Sequence, residues 1–211
     1  MFRALVDPNA FFGERAGDPS LRRPALVVAT VAVIGTISAA YSLSVMRAQL
    51  PAEAQGLVTI ILGVGVAGSL LGPFIGWLVF SLFYYLISGF FGGEGSYRDT
   101  LALAGYGYLP RVFGAVVALA LTVVLYQTVP PTGNYQTYAA AIAASPYTKL
   151  STVLGWVFLV WQGFLTTYAV KHARSVSFRD AAISVWVPVG LYLLVSVAGF
   201  ALQFIGFGGT P

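Results

Sequence analysis

The chain has 211 residues, of which 58% are apolar and only 9% charged, and its mean hydropathy is +0.82; a soluble domain carries about 25% charge, so the composition excludes one and places the chain in a membrane. It holds no cysteine and one histidine, which excludes disulfides, thiolate metal sites and thiol catalysis and leaves His172 too few companions for a metal site. The net charge of +4 comes from basic residues that flank apolar runs, where they meet anionic lipid headgroups rather than nucleic acid.

Residues 1–24 form a cytoplasmic amphipathic segment. In "LVDPNAFFGE", Asp7 is placed to cap a helix and Pro8 to occupy its first position, while Phe11 and Phe12 form an apolar patch. The segment reads as a short helix lying on the cytoplasmic leaflet, an interfacial anchor in preference to a docking surface.

Residues 25–211 form a transmembrane domain of five spans, at about 25–45, 57–91, 109–129, 150–170 and 181–205, because each uncharged run is long enough to cross a bilayer core. The first run follows Arg22 and Arg23 but begins late and exceeds the roughly 7–15 apolar residues of a signal peptide, so it is a retained span. Pro130, Pro131, Gly133 and Asn134 stop the third near Val129, leaving a connector with room for a short surface helix over residues 135–144.

The run 57–91 is long for one helix and carries Gly72-Pro73 in its middle. As a single tilted span it places nine basic residues on the amino-terminal side against two opposite, whereas a hairpin makes the split five to six. The positive-inside rule therefore selects five spans, with a cytoplasmic amino terminus and the carboxyl terminus outside. Gly63, Gly65 and Gly68 spell a dinucleotide fingerprint, but no strand precedes them. Gly65, Gly68, Gly72 and Gly76 line one helix face and read as a helix-packing stripe.

Between spans two and three lies "GGEGSYRDTLALAGYGYLPR". Ser96 and Asp99 form a capping box that starts a short helix carrying Leu101, Leu103, Tyr106 and Tyr108 before Pro110. It is too short to span and lies at the interface or dips in. The connector before the last span repeats the pattern with Ser177, Phe178, Arg179 and Asp180, either as an internal repeat or as the same capping solution chosen twice.

No Asp, Glu, Lys or His lies deep in a span, which disfavours coupled transport. Gln127, Gln162 and Gln203 are read as interhelical hydrogen-bonding groups. His172 has no acid-oriented serine beside it, so catalysis has no visible constellation and the residue reads as a solvated interfacial histidine.

Asp7-Pro8 with Phe11-Phe12, Gly92-Gly93 through Ser96-Tyr97-Arg98, the spacing from Gly105-Tyr106 to Pro110, and the basic connector before the last span occur in an order that resembles the Yip family, named for Ypt/Rab-interacting proteins. The resemblance covers most of the chain. It implies five spans and a cytoplasmic amino terminus, and the Arg-rich, Ala-, Gly- and Val-rich composition suits a prokaryotic member. Eukaryotic members are membrane organisers of the endoplasmic reticulum and Golgi that bind prenylated Rab GTPases and partner with one another. Only residues 1–24 precede the first span here, against the extended cytoplasmic region of those relatives.

The sequence thus points to an all-α integral membrane protein, a bundle of five transmembrane helices with short interfacial helices on the cytoplasmic side. In a prokaryote it would reside in the cell membrane. Its expected role is that of a non-enzymatic adaptor or scaffold without a cofactor or metal. Arg98 and Arg179 offer bidentate contacts to carboxylate or phosphate, and Tyr97, Tyr106 and Phe178 supply apolar anchors for a membrane or cytoplasmic protein partner, or for a homo- or hetero-oligomer. The competing reading for the two arginines is attachment to lipid phosphates. The competing function is an uncoupled carrier of a small solute or lipid through a cavity among the spans.

Overall fold

The computed structural model describes residues 3–51 and 55–206. Among the described residues the structure is helical without strands: α1 (Arg3–Val6), α2 (Pro8–Gly13), α3 (Arg22–Arg47), α4 (Gln55–Gly89), α5 (Tyr97–Tyr106), α6 (Leu109–Thr128), α7 (Tyr135–Ala144), α8 (Pro146–Ala173) and α9 (Phe178–Gly206). Five of them, α3, α4, α6, α8 and α9, are long and apolar enough to cross a membrane. The protein is a multi-pass integral membrane protein. Residues 207–211 and the side chain of Gln203 lie outside the described residues.

α4 runs unbroken through Pro73, and α9 through Pro188. The long second apolar run is therefore one helix and not a hairpin. The connector after Pro130-Pro131 holds α7, which starts where the Asn134 side chain accepts from the Thr137 N–H at 3.0 Å. The chain crosses five times in alternation, so α1, α2 and the loops around residues 90–96 and 174–177 share one end of the bundle, here called the amino-terminal end. α7 sits at the other.

α8 is the most buried span; it packs on α6 and α9 as well as on α5, α2 and α7. The element that the sequence least prepares for is α5. Its residues from Thr100 to Tyr106 are all buried, so it is a plug inside the amino-terminal half of the bundle and not a helix displayed at the interface. It feeds three apolar clusters at once: Ala104 joins Tyr84, Leu159 and Val185, Leu103 and Tyr106 join Phe11, Phe12 and Ala169, and Leu101 joins Val27, Val28 and Trp77. Small side chains make this possible. A Cβ on Gly105 would come within 2.6 Å of Pro24 and 2.9 Å of Trp77, and the closeness lets Trp77 Nε1 donate to the Leu101 carbonyl at 2.8 Å.

Two expectations are corrected here. Asp7 does accept from the Ala10 N–H at 3.1 Å and Pro8 opens α2, but Phe11 and Phe12 are only 1% and 0% exposed. Their rings enter the protein, with Phe11 edge-on to Tyr106 at 5.2 Å, because residues of α5 and α8 offer them an apolar groove. The anchor reading gives way to packing of α2 on the bundle.

The glycine stripe of α4 is the second. A Cβ on Gly65, Gly68 or Gly72 would meet nothing within 4 Å, and one on Gly76 would meet only the Tyr108 hydroxyl at 3.6 Å. Close approaches occur instead at Gly105, Gly107, Gly114 and Gly163, each facing a side chain of a neighbouring helix. A small-residue pattern records where a backbone is bare, and it does not say what faces it.

Candidate functional site

At the amino-terminal end the two connectors are joined by one residue. Arg174 follows α8, is 3% exposed, and turns its guanidinium into the loop after α4. Nε donates to Ser88 Oγ at 3.0 Å, Nη2 donates to the Gly93 carbonyl at 2.6 Å, and Nη1 donates to the Gly95 carbonyl. Its plane lies over the Tyr85 ring, 4.3 Å from the centroid. The exchange is completed when the Glu94 N–H donates to the Arg174 carbonyl at 2.9 Å. No carboxylate among the described residues pairs with this buried cation; carbonyl dipoles and the ring face replace the lost water.

The loop is shaped to present those carbonyls. Gly92 and Gly95 have φ of +73° and +88°, a left-handed backbone that glycine adopts without a Cβ clash. Gly93 lacks room for a side chain, since a Cβ there would lie 2.8 Å from the Ser88 carbonyl.

Beyond this clamp each connector starts a helix in the same way. Ser96 Oγ accepts from the Asp99 N–H at 3.1 Å while Asp99 Oδ2 accepts from the Ser96 N–H at 3.1 Å. Ser177 Oγ accepts from the Asp180 N–H at 3.2 Å and donates to Asp180 Oδ2 at 2.6 Å. Asp99 and Asp180 are therefore engaged with their own helix starts. Arg98 and Arg179, their neighbours, are exposed and have no ion-pair partner among the described residues.

The apolar anchors fare differently. Phe178 is 44% exposed and leans on Tyr168, with centroids 5.1 Å apart. Tyr97 is half-buried: its hydroxyl donates to the Leu78 carbonyl at 2.9 Å and its ring meets Tyr85 edge-on. Burial raises the Tyr97 phenol above its ordinary value, which keeps it a neutral donor. Tyr106 is buried beneath Phe11 and presents nothing to a partner, so its placement among the surface anchors is corrected. Sequence reasoning also set His172 in solvent. Its Nε2 lies 2.9 Å from Asn9 Oδ1, which also accepts from Lys171 Nζ at 2.8 Å, and together the two residues tie α2 to α8.

Arg174 itself escaped sequence reasoning because it sits in the cluster "KHARSVSFRD", where every cation looks solvated. The available signal was the glycine run 92–95, whose inward carbonyls need a donor that the run does not contain.

Residues 2–200 match the family model of the Yip1 domain. The chain is similar to an uncharacterized protein from Methanocaldococcus jannaschii, with 31% identity over 122 residues that make up 57% of this chain and 86% of that protein. No solved structure matches it. With five membrane-crossing helices and a family match across nearly its whole length, the chain belongs to the Yip1 domain family.

Proposed function

We propose that the protein is a non-enzymatic membrane adaptor whose amino-terminal end faces the cytoplasm and docks a protein partner on Arg98 and Arg179. The observation that carries this reading is the division of labour around Arg174. One arginine is buried and locks the two connectors together, while the other two are exposed and uncommitted on helix starts fixed by serine–aspartate caps. Rigid presentation lowers the ordering cost of binding, and a guanidinium without an ion-pair partner among the described residues is available for a bidentate contact to a carboxylate. Exposed Phe90 and Phe178 supply apolar area at the same end. The nine-to-two distribution of basic residues supports a cytoplasmic placement, and membership of a family known for interacting with proteins in membranes supports a protein partner.

The test is a comparative purification in mild detergent of the wild type and the Arg98→Ala, Arg179→Ala double variant. Unchanged thermal stability with loss of specific co-purifying proteins is the expected result. An unchanged set of proteins with weakened stability or orientation would assign both arginines to lipid phosphates instead.

A further inference from the structure

Enclosed by α4, α8, α9 and the start of α6 is a cavity of about 300 Å³ whose walls include Tyr84, Tyr108, Arg111 and Gln162. It is deep. At about 1.5 Å per residue, Gln162 lies roughly 16 Å from the Ala173 end of α8 and roughly 24 Å from the Pro146 end. A hydrocarbon core of roughly 30 Å carried by this helix therefore contains the site.

Two of these groups lack a structural explanation. Arg111, which the sequence suggests is a loop charge, stands on the first turn of α6, and no carboxylate among the described residues pairs with it; its guanidinium lies 5.7 Å from the centre of the Tyr108 ring. An ionisable group at membrane depth is costly and is retained for a role. Gln162 is 6% exposed, lines the cavity together with Tyr108, and its Oε1 has no hydrogen-bond partner among the described residues. Arg111 also borders a groove of about 220 Å³ between α3, α6 and α8, but Ser151 is the only other polar side chain there. Its polar neighbours are on the tyrosine side.

The shape of the opening restricts what can enter. Gly72 and Gly76 keep the α4 wall bare, and the cavity reaches the outer surface of the bundle at Gly72 and Tyr192, both exposed. The flanks of that mouth, Leu71, Ile75 and Leu191, are exposed and apolar. Access is thus sideways, from the hydrocarbon. A cavity at the small end of ligand pockets takes a headgroup and leaves acyl chains outside.

We propose that this cavity binds the headgroup of one membrane lipid that carries both a phosphate and a hydroxyl, such as a phosphoglycerol lipid. The phosphate sits on the Arg111 guanidinium, which matches it bidentately, with the hydroxyls of Tyr84 and Tyr108 as further donors. The headgroup hydroxyl donates to Gln162 Oε1. The chains lie against α4 and α9. This inference is independent of the adaptor reading.

Delipidated protein in mild detergent is titrated with short-chain phosphatidylglycerol and the bound stoichiometry followed by native mass spectrometry. One lipid per chain is expected. Arg111→Gln should weaken it roughly tenfold or more, the effect of losing one charged hydrogen-bonding group. Gly72→Leu, which fills the mouth from open space, should weaken it without touching the cation, and Arg47→Ala, at the exposed far end of α3, should leave it unchanged. If Arg111→Gln fails to fold, Gly72→Leu and Gln162→Leu decide. Phosphatidylcholine has the phosphate without a hydroxyl donor, and glycerol phosphate has the headgroup without chains; both should bind more weakly. Equal binding of phosphatidylcholine together with indifference to Gln162→Leu overturns the headgroup assignment. Equal binding of glycerol phosphate overturns the lipid as its source.

Discussion

The guanidinium of Arg174 donates to the Gly93 carbonyl at 2.6 Å although the two residues stand on connectors separated by two membrane spans. Three acceptors and one aromatic face are satisfied by a single side chain. Arg174→Ala should therefore lower unfolding stability by about 1–3 kcal/mol, since it removes three hydrogen bonds of a charged donor and strands part-buried carbonyls. Arg174→Lys should restore little, because one ammonium cannot reproduce the planar fork. Thermal unfolding in detergent checks the first statement, and protease sensitivity of residues 90–96 checks the second.

Phe11 and Phe12 should behave as core residues. Each alanine substitution should cost about 3–5 kcal/mol if the sites cannot collapse, with release of residues 1–20 to proteolysis in detergent, where no leaflet exists. A loss seen only in bilayers would return these rings to the role of lipid anchor.

Glycines on two helices should respond in opposite ways. Gly105→Ala forces a Cβ against Pro24 and Trp77 and should destabilise by about 1–3 kcal/mol through overpacking. Gly68→Leu points into open space and should leave the melting temperature unchanged. Melting curves of the two variants in one detergent separate them directly.

The absence of cysteine makes orientation measurable. Single cysteines at Ser20 and Thr132, both exposed and at opposite ends of the bundle, should label differently in intact cells with an impermeant maleimide: Thr132→Cys reacts and Ser20→Cys does not. The reverse pattern would invert the orientation and move Arg98 and Arg179 away from the cytoplasm.

What could be read from the sequence follows from the range of the forces involved. Five spans are visible because transfer into hydrocarbon depends on the sum over about 20 residues, and charge bias resolved residues 57–91 as one helix, which α4 is. Helix starts such as Ser96 with Asp99 involve neighbours three residues apart and need no tertiary knowledge. The sequence left two placements open for the helix after Ser96, at the interface or dipping in, and could not choose between them, because Tyr97–Tyr106 is neither long nor strongly apolar; only the arrival of α3, α4 and α8 around it makes small residues an advantage. Arg111 and Arg174 were hidden for a related reason. Both look like surface charges until their surroundings, Gln162 across the cavity for one and the carbonyls of Gly93 and Gly95 for the other, are brought in from distant segments.

The Arg174 clamp also has a timetable. Its guanidinium reaches a carbonyl 79 positions earlier in the chain, and at a synthesis rate of about 5–20 residues per second the Gly95 carbonyl waits roughly 4–16 s for its donor. Through that interval α4 is already made, while the loop that follows it must remain wetted. The amino-terminal end of this protein is thus closed only when the ribosome has delivered the end of α8, and a chain stalled earlier carries an open glycine loop.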